Sequence, residues 1–218
     1  MPIRKNILVN GEVYHIYSRS IEKYIIFPLF NDFLRMEELI KYYKIPRNIS
    51  FSLFSRTPDK YSSNDKREEI VRIIAYCLMP THIHLILQQK KENGISKFME
   101  KVLKGYAVYF NKKYRRSGPL WSGRFSNVRV RSDEQLLHLT RYIHLNPVTS
   151  YLVEKPDDWR FSSYREYVGL KKKNLMCDWE GLITFQKKSY IEFVNNRKDY
   201  QRELAKIKEL LFSEPGSG

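Results

Sequence analysis

Apolar positions along the chain mark out short segments that read as strands, over about 12–19, 71–78, 83–89 and 127–130, separated by longer ones with helical spacing. Helices are predicted over about 31–43, 95–109 and 133–146. In the second of these Phe98, Met99, Val102 and Tyr106 form an apolar stripe, while Lys97, Lys101 and Lys104 recur on another face as a basic ridge. The order of elements predicts an α+β fold, an antiparallel sheet with helices on one side.

The third helix carries its own start and stop signals. Ser132 with Gln135 three residues later fits a capping box, Asp133 and Glu134 suit the positive end of the helix dipole, and Pro147 biases Asn146 toward leaving the helix. Leu136, Leu139 and Ile143 make a buried stripe. His138, Tyr142 and Asn146 share a different face, so a phenol and an amide sit one turn apart.

The strand over 83–89 begins with chemistry. His82 and His84 project to one face of a strand whose Ile83, Leu85 and Leu87 face the other way. Two imidazoles on one face are half of a metal site, or else two strand-end side chains that satisfy their N–H groups locally.

Segment 45–69 is polar, charged and turn-rich toward its end and reads as a surface insertion, with Phe51, Leu53 and Phe54 packing locally. Beyond Gly169 the character changes. Lys171, Lys172 and Lys173 open a tail in which Tyr200, Leu204, Ile207 and Leu211 have the spacing of an amphipathic helix, one that docks on this domain in preference to a second copy. Domain 1–169, extension 170–213 and a flexible end 214–218 therefore divide the chain.

Composition adds a partner. Lys and Arg number 39 against 24 Asp and Glu, a net charge of +15, which attracts polyanions. Lys112, Lys113, Arg115 and Arg116 bracket Tyr114 ahead of Trp121 and Arg124, a mixture of cations and aromatic faces suited to phosphates and stacked single-stranded bases. Among the other aromatic residues of this stretch, Tyr106 and Phe110 are assigned to the core. No apolar run is long enough for a membrane span and no secretory signal is visible at the start, so a cytoplasmic, nucleoid-associated protein is expected. Cys77 and Cys177 lack metal or disulfide spacing and read as a buried strand thiol and a surface thiol.

Five blocks, taken in order, resemble the REP-associated tyrosine transposases, a branch of the HUH single-strand endonuclease and transposase superfamily. They are 13–19 (VYHIYSR), 75–84 (AYCLMPTHIH), 118–125 (GPLWSGRF), 141–148 (RYIHLNPV) and 159–164 (WRFSSY). Thr81 stands where that family usually has Asn, and Ser20 where it usually has Gly, which bears on any backbone conformation with positive φ at position 20.

The resemblance implies a ferredoxin-like antiparallel sheet of four or five strands. It places the metal-binding histidines on His82 and His84, the third ligand on Asn146 and the nucleophile on Tyr142, with Mg²⁺ or Mn²⁺ as the ion. Single-stranded or hairpin DNA is the implied partner, and Arg19 joins the basic residues above as a candidate contact. Attack by Tyr142 on a phosphodiester near a hairpin-bearing end would leave a 5′-phosphotyrosine link and a free 3′-hydroxyl, ready for rejoining. His138, one turn before Tyr142, is the candidate proton acceptor. A monomer with its site complete in one chain is preferred over a homodimer. The alternative is a domesticated DNA or RNA hairpin-binding protein without turnover.

Overall fold

The computed structural model describes residues 7–56, 68–172 and 175–196. Four strands, β1 (Val13–Arg19), β2 (Val71–Met79), β3 (His82–Gln89) and β4 (Ser126–Arg129), form one antiparallel sheet in the order β2-β3-β1-β4. Helix α1 (Phe30–Tyr43) connects β1 to β2, and α3 (Gly94–Lys113) connects β3 to β4. In each case one strand lies between the two joined, which gives the interleaved pair of βαβ units of a ferredoxin-like sheet. The expected fold class is the observed one.

Alternation within the strands sorts the side chains. On one face Tyr14, Ile16, Val71, Ile73, Tyr76, Leu78, Ile83, Leu85 and Leu87 pack with Phe33, Met36 and Leu39 of α1 and Phe98, Met99, Val102 and Tyr106 of α3. Phe161 closes this layer, stacked on Phe33 at 4.2 Å between ring centroids. Phe51 of the short helix α2 (Phe51–Arg56) is buried against it, and Leu53 is exposed. Among its described residues the insertion thus buries the Phe51 ring in the core and packs Phe54 partly buried against it.

Helices cover both faces of the sheet, not one. Helix α4 (Asp133–Thr149) lies on the opposite face, where Leu136, Ile143, Leu145 and Val148 pack with Ile74, Ala75, Cys77, Met79 and Ile86. The reason lies in β2, which is apolar on both faces, with Ile74 and Ala75 following Ile73 at a register shift. Tyr164, Tyr167 and α6 (Lys187–Asn195) complete this second layer, joined by the short helix α5 (Tyr164–Tyr167). The exposed edge of β2 is blunted by 161–163: Leu78 N–H donates to Phe161 O, Ser163 N–H to Tyr76 O, and Cys77 bridges Ser162.

Three local expectations change. Helix α4 continues through Pro147, with Ser150 N–H donating to Asn146 O and Leu152 N–H to Pro147 O, so the proline ends nothing; its missing N–H costs one bond within an otherwise bonded last turn. Cys177 is buried against the core, not exposed, because its segment follows Met176 into the layer beside Glu166. The helix anticipated around Tyr200, Leu204, Ile207 and Leu211 lies outside the described residues.

Candidate active site

The site grows out of strand register. Arg19 pairs with His82 and Tyr17 with His84 across β1 and β3, so Arg19, Tyr17, His15, His82 and His84 all project to the α4 face. Helix α4 is started by the predicted cap: Ser132 Oγ accepts from Gln135 N–H, and Gln135 Oε1 accepts from Arg131 N–H. That start sets the phase of the helix, and Tyr142 comes to lie over the strands. Its ring centroid is 6.0 Å from that of His84 and 6.3 Å from that of His15, edge-on to both. A ring of the helix thus meets two rings of the strands.

Tyr142 is 44% exposed although its neighbours on the helix are buried, and its hydroxyl makes no hydrogen bond to the described residues. Partial burial pushes its pKa upward, against the opposing pull of Arg19. The phenol is therefore presented to solvent, protonated and unspent.

Both histidines of β3 are tethered by the same ring atom. His82 Nδ1 lies 3.0 Å from Thr81 Oγ1, and His84 Nδ1 lies 3.0 Å from His15 Nε2. Their rings are 5.0 Å apart and nearly perpendicular. Burial pushes His82 down to about 4, helped by the Arg19 guanidinium. Burial likewise holds His84 well below its usual value, with His82, His15 and Arg19 acting in the same sense. Neutral imidazoles with Nδ1 occupied leave Nε2 on each as the atom able to bind a cation.

Asn146, one turn beyond Tyr142, is buried, and its amide nitrogen has no hydrogen-bond partner among the described residues. A buried amide with an unpaired nitrogen can turn its oxygen toward an ion, since exchange of its oxygen and nitrogen by rotation breaks no bond found among the described residues. Two imidazole nitrogens and one amide oxygen fit a divalent cation that keeps open positions for substrate oxygens. Among the described residues no cluster of three or more His, Cys, Asp or Glu offers another such site.

The remaining candidates divide. Arg19 is exposed at the mouth, its guanidinium 5.8 Å from the Tyr17 ring, and its charge reaches His82, His84 and Tyr142. His138 is not placed for proton transfer: its Nδ1 is 2.6 Å from Arg141 Nη2 and its ring packs on Phe193, which turns it toward α6. Lys113 and Tyr114 are occupied by Asp32, which also takes the Tyr109 hydroxyl; the three donors lie at 2.6, 2.6 and 2.9 Å. Tyr114 is therefore a strut under α3, not a free stacking platform. Trp121 is partly buried and donates from Nε1 to Leu103 O.

Arg116 stacks over Tyr24, and Lys112, Arg115 and Arg124 are exposed on the loop side of α3. Lys101 and Lys104 line a cavity of about 280 Å³ with Arg35, Phe51 and Tyr109, between α1, α2 and α3 on the sheet face opposite Tyr142. Lys97 is exposed on the same helix. The basic ridge and the phenol thus look out from opposite sides.

Ser20 has φ −67° and ψ 158°, ordinary extended backbone, so glycine is not required there. Positive φ falls instead on Glu22 (47°) and Lys23 (55°), just beyond. Sequence reasoning did not single out His15 and Tyr17 as site residues; their two-residue spacing on β1 was the available signal.

Residues 54–146 match the model of the IS200-like transposase family. A Haemophilus influenzae protein that bears the name REP-associated tyrosine transposase is 33% identical over 119 residues, covering 50% of this chain. The chain spans 66% of that relative's length. A solved structure of a REP-associated tyrosine transposase bound to a REP hairpin superposes with a TM-score of 0.54 at 18% identity, over 86% of this chain and 96% of the other, and shares its fold. The chain belongs to the REP-associated tyrosine transposases.

Proposed function

We propose that the protein is a metal-dependent single-strand DNA endonuclease and strand transferase acting near hairpin-bearing ends. The observation that carries this is the exposed, unbonded Tyr142 hydroxyl on a ring 6.0 Å from His84, beside neutral imidazoles and the Arg19 cation. The solved relative's complex with a REP hairpin supports the choice of substrate class.

His82, His84 and Asn146 would hold the divalent ion, Mg²⁺ or Mn²⁺, which when bound supplies Lewis acidity toward a nonbridging phosphate oxygen. Arg19 binds the phosphate backbone at the mouth of the site and offsets its charge. Tyr142 Oη attacks phosphorus; the Oη–P bond forms, the P–O3′ bond breaks, and the phenolic proton passes to solvent while the departing O3′ takes one up. The 5′-phosphotyrosine retains the phosphodiester's energy, so a second 3′-hydroxyl reverses the step without ATP.

The test is a labelled hairpin-bearing single strand incubated with Mn²⁺ and run on a denaturing gel. A retarded covalent band that disappears in Tyr142→Phe is expected. Retention of DNA on a native gel with no adduct on any of a broad set of strands would replace the enzyme with a hairpin-binding protein.

A further inference from the structure

His15 is a half-buried imidazole that no step above uses. It sits on β1 opposite Ile86, one diagonal position from His84, which is opposite Tyr17. Diagonal neighbours on one sheet face are within reach of aromatic side chains, and here the two rings stack, 5.2 Å apart and 21° from parallel, with His15 Nε2 at 3.0 Å from His84 Nδ1.

A hydrogen bond between two neutral imidazoles contains one proton, and its position has a consequence. If His84 is the acceptor, its single proton sits on Nε2 and the ring has no lone pair left for an ion. When His84 is the donor, Nδ1 carries the proton and Nε2 is free. The same logic operates at His82, where Thr81 Oγ1 sits against Nδ1.

We infer that His15 is a positioning residue for the metal site: its Nε2 accepts the Nδ1–H of His84, which fixes the ring's orientation and keeps the His84 Nε2 lone pair available to the ion. The inference rests on the metal-site assignment given above. Outer partners of this kind orient ligating histidines and raise their basicity, and their loss typically lowers metal affinity by about 10–100-fold. An imidazole acceptor is uncharged, so an effect near the lower end, about tenfold, is expected.

Two measurements on the full chain without DNA decide it. Ring ¹⁵N–¹H spectra of the metal-free protein report the tautomer directly: His84 should carry its proton on Nδ1, and in His15→Phe the proton should move to Nε2 for part of the population. Mn²⁺ titration followed by electron paramagnetic resonance should give a dissociation constant about tenfold weaker in His15→Phe. His15→Gln, whose amide oxygen can accept the same bond, should recover most of the loss. A wild-type His84 protonated on Nε2 overturns the inference whether or not any variant folds, as does wild-type Mn²⁺ affinity in a folded His15→Phe. His82→Ala separates the two levels: if it binds Mn²⁺ as the wild type does, the metal site itself is misassigned and the role of His15 falls with it.

Discussion

On one face of the sheet Ile16, Ile83, Leu85 and Leu87 are fully buried beneath α1 and α3, whereas on the other His15, Tyr17, Arg19 and His82 are left partly open beside α4. Both sets come from the same strands, one residue out of phase. The closed face is finished by aromatic stacking and by Asp32, a buried carboxylate satisfied by Lys113, Tyr109, Tyr114 and the Leu29 N–H. Among the described residues the open face keeps groups unspent: a phenol without a hydrogen bond, an amide nitrogen without a partner, two imidazoles tied at Nδ1 alone. Satisfied polar groups stabilise, and unsatisfied ones are available for chemistry.

The sharpest contrast should come from Tyr142→Phe set against Phe98→Ala. Tyr142→Phe should abolish the covalent DNA adduct while changing unfolding free energy by less than about 0.5 kcal/mol in urea, because no hydrogen bond is lost. Phe98→Ala, a cavity in the closed face, should cost about 3–5 kcal/mol in the same measurement. If Tyr142→Phe destabilised as much as Phe98→Ala, the phenol would be a structural group.

Behind the open face α4 is itself anchored. His144 is fully buried, with Nδ1 2.7 Å from the Tyr190 hydroxyl and Nε2 2.7 Å from Ser163 Oγ, so α6 and the β2 edge both grip the helix that carries Tyr142. Tyr190→Phe should lower stability by about 1–3 kcal/mol by orphaning that nitrogen. A wild-type urea midpoint would mean that α6 holds α4 by apolar packing alone.

Acid should separate the faces as well. Burial holds His15 and His82 at about 4 and His144 at about 3, below their unfolded value near 6.5. The unfolded chain therefore binds more protons between about pH 6.5 and 4, so stability present at neutral pH declines as pH falls through that window. For Asp32, burial raises the pKa, but the hydrogen bonds from Lys113, Tyr114 and Tyr109 outweigh it and hold it below the usual value. Its contribution persists to lower pH and is lost only below the unfolded carboxylate pKa near 3.9. Urea midpoints at pH 7, 5.5 and 4.5 check the first window; a flat series would remove the histidines from the stability account.

The smallest effect is expected from Lys101→Ala and Lys104→Ala, which lie beneath the closed face. Adduct formation on a short single strand should change by less than about twofold, and the salt dependence of its binding by less than about one unit of slope. A tenfold loss would mean that the strand reaches both sides of the sheet.

Much of this was legible in the chain. The period of two puts His82 and His84 on one face and Ile83 and Leu85 on the other, and the Ser132–Gln135 cap sets the phase of α4. Local backbone geometry determines such facts, so they survive without knowledge of the fold. His15 opposite His84, Tyr114 beneath Asp32, His138 turned to Arg141 and Lys101 on the far side of the sheet were decided only by strand order and helix docking. Each depends on residues tens of positions apart or on the direction a face points, and sequence spacing contains no information about either until the sheet has been assembled.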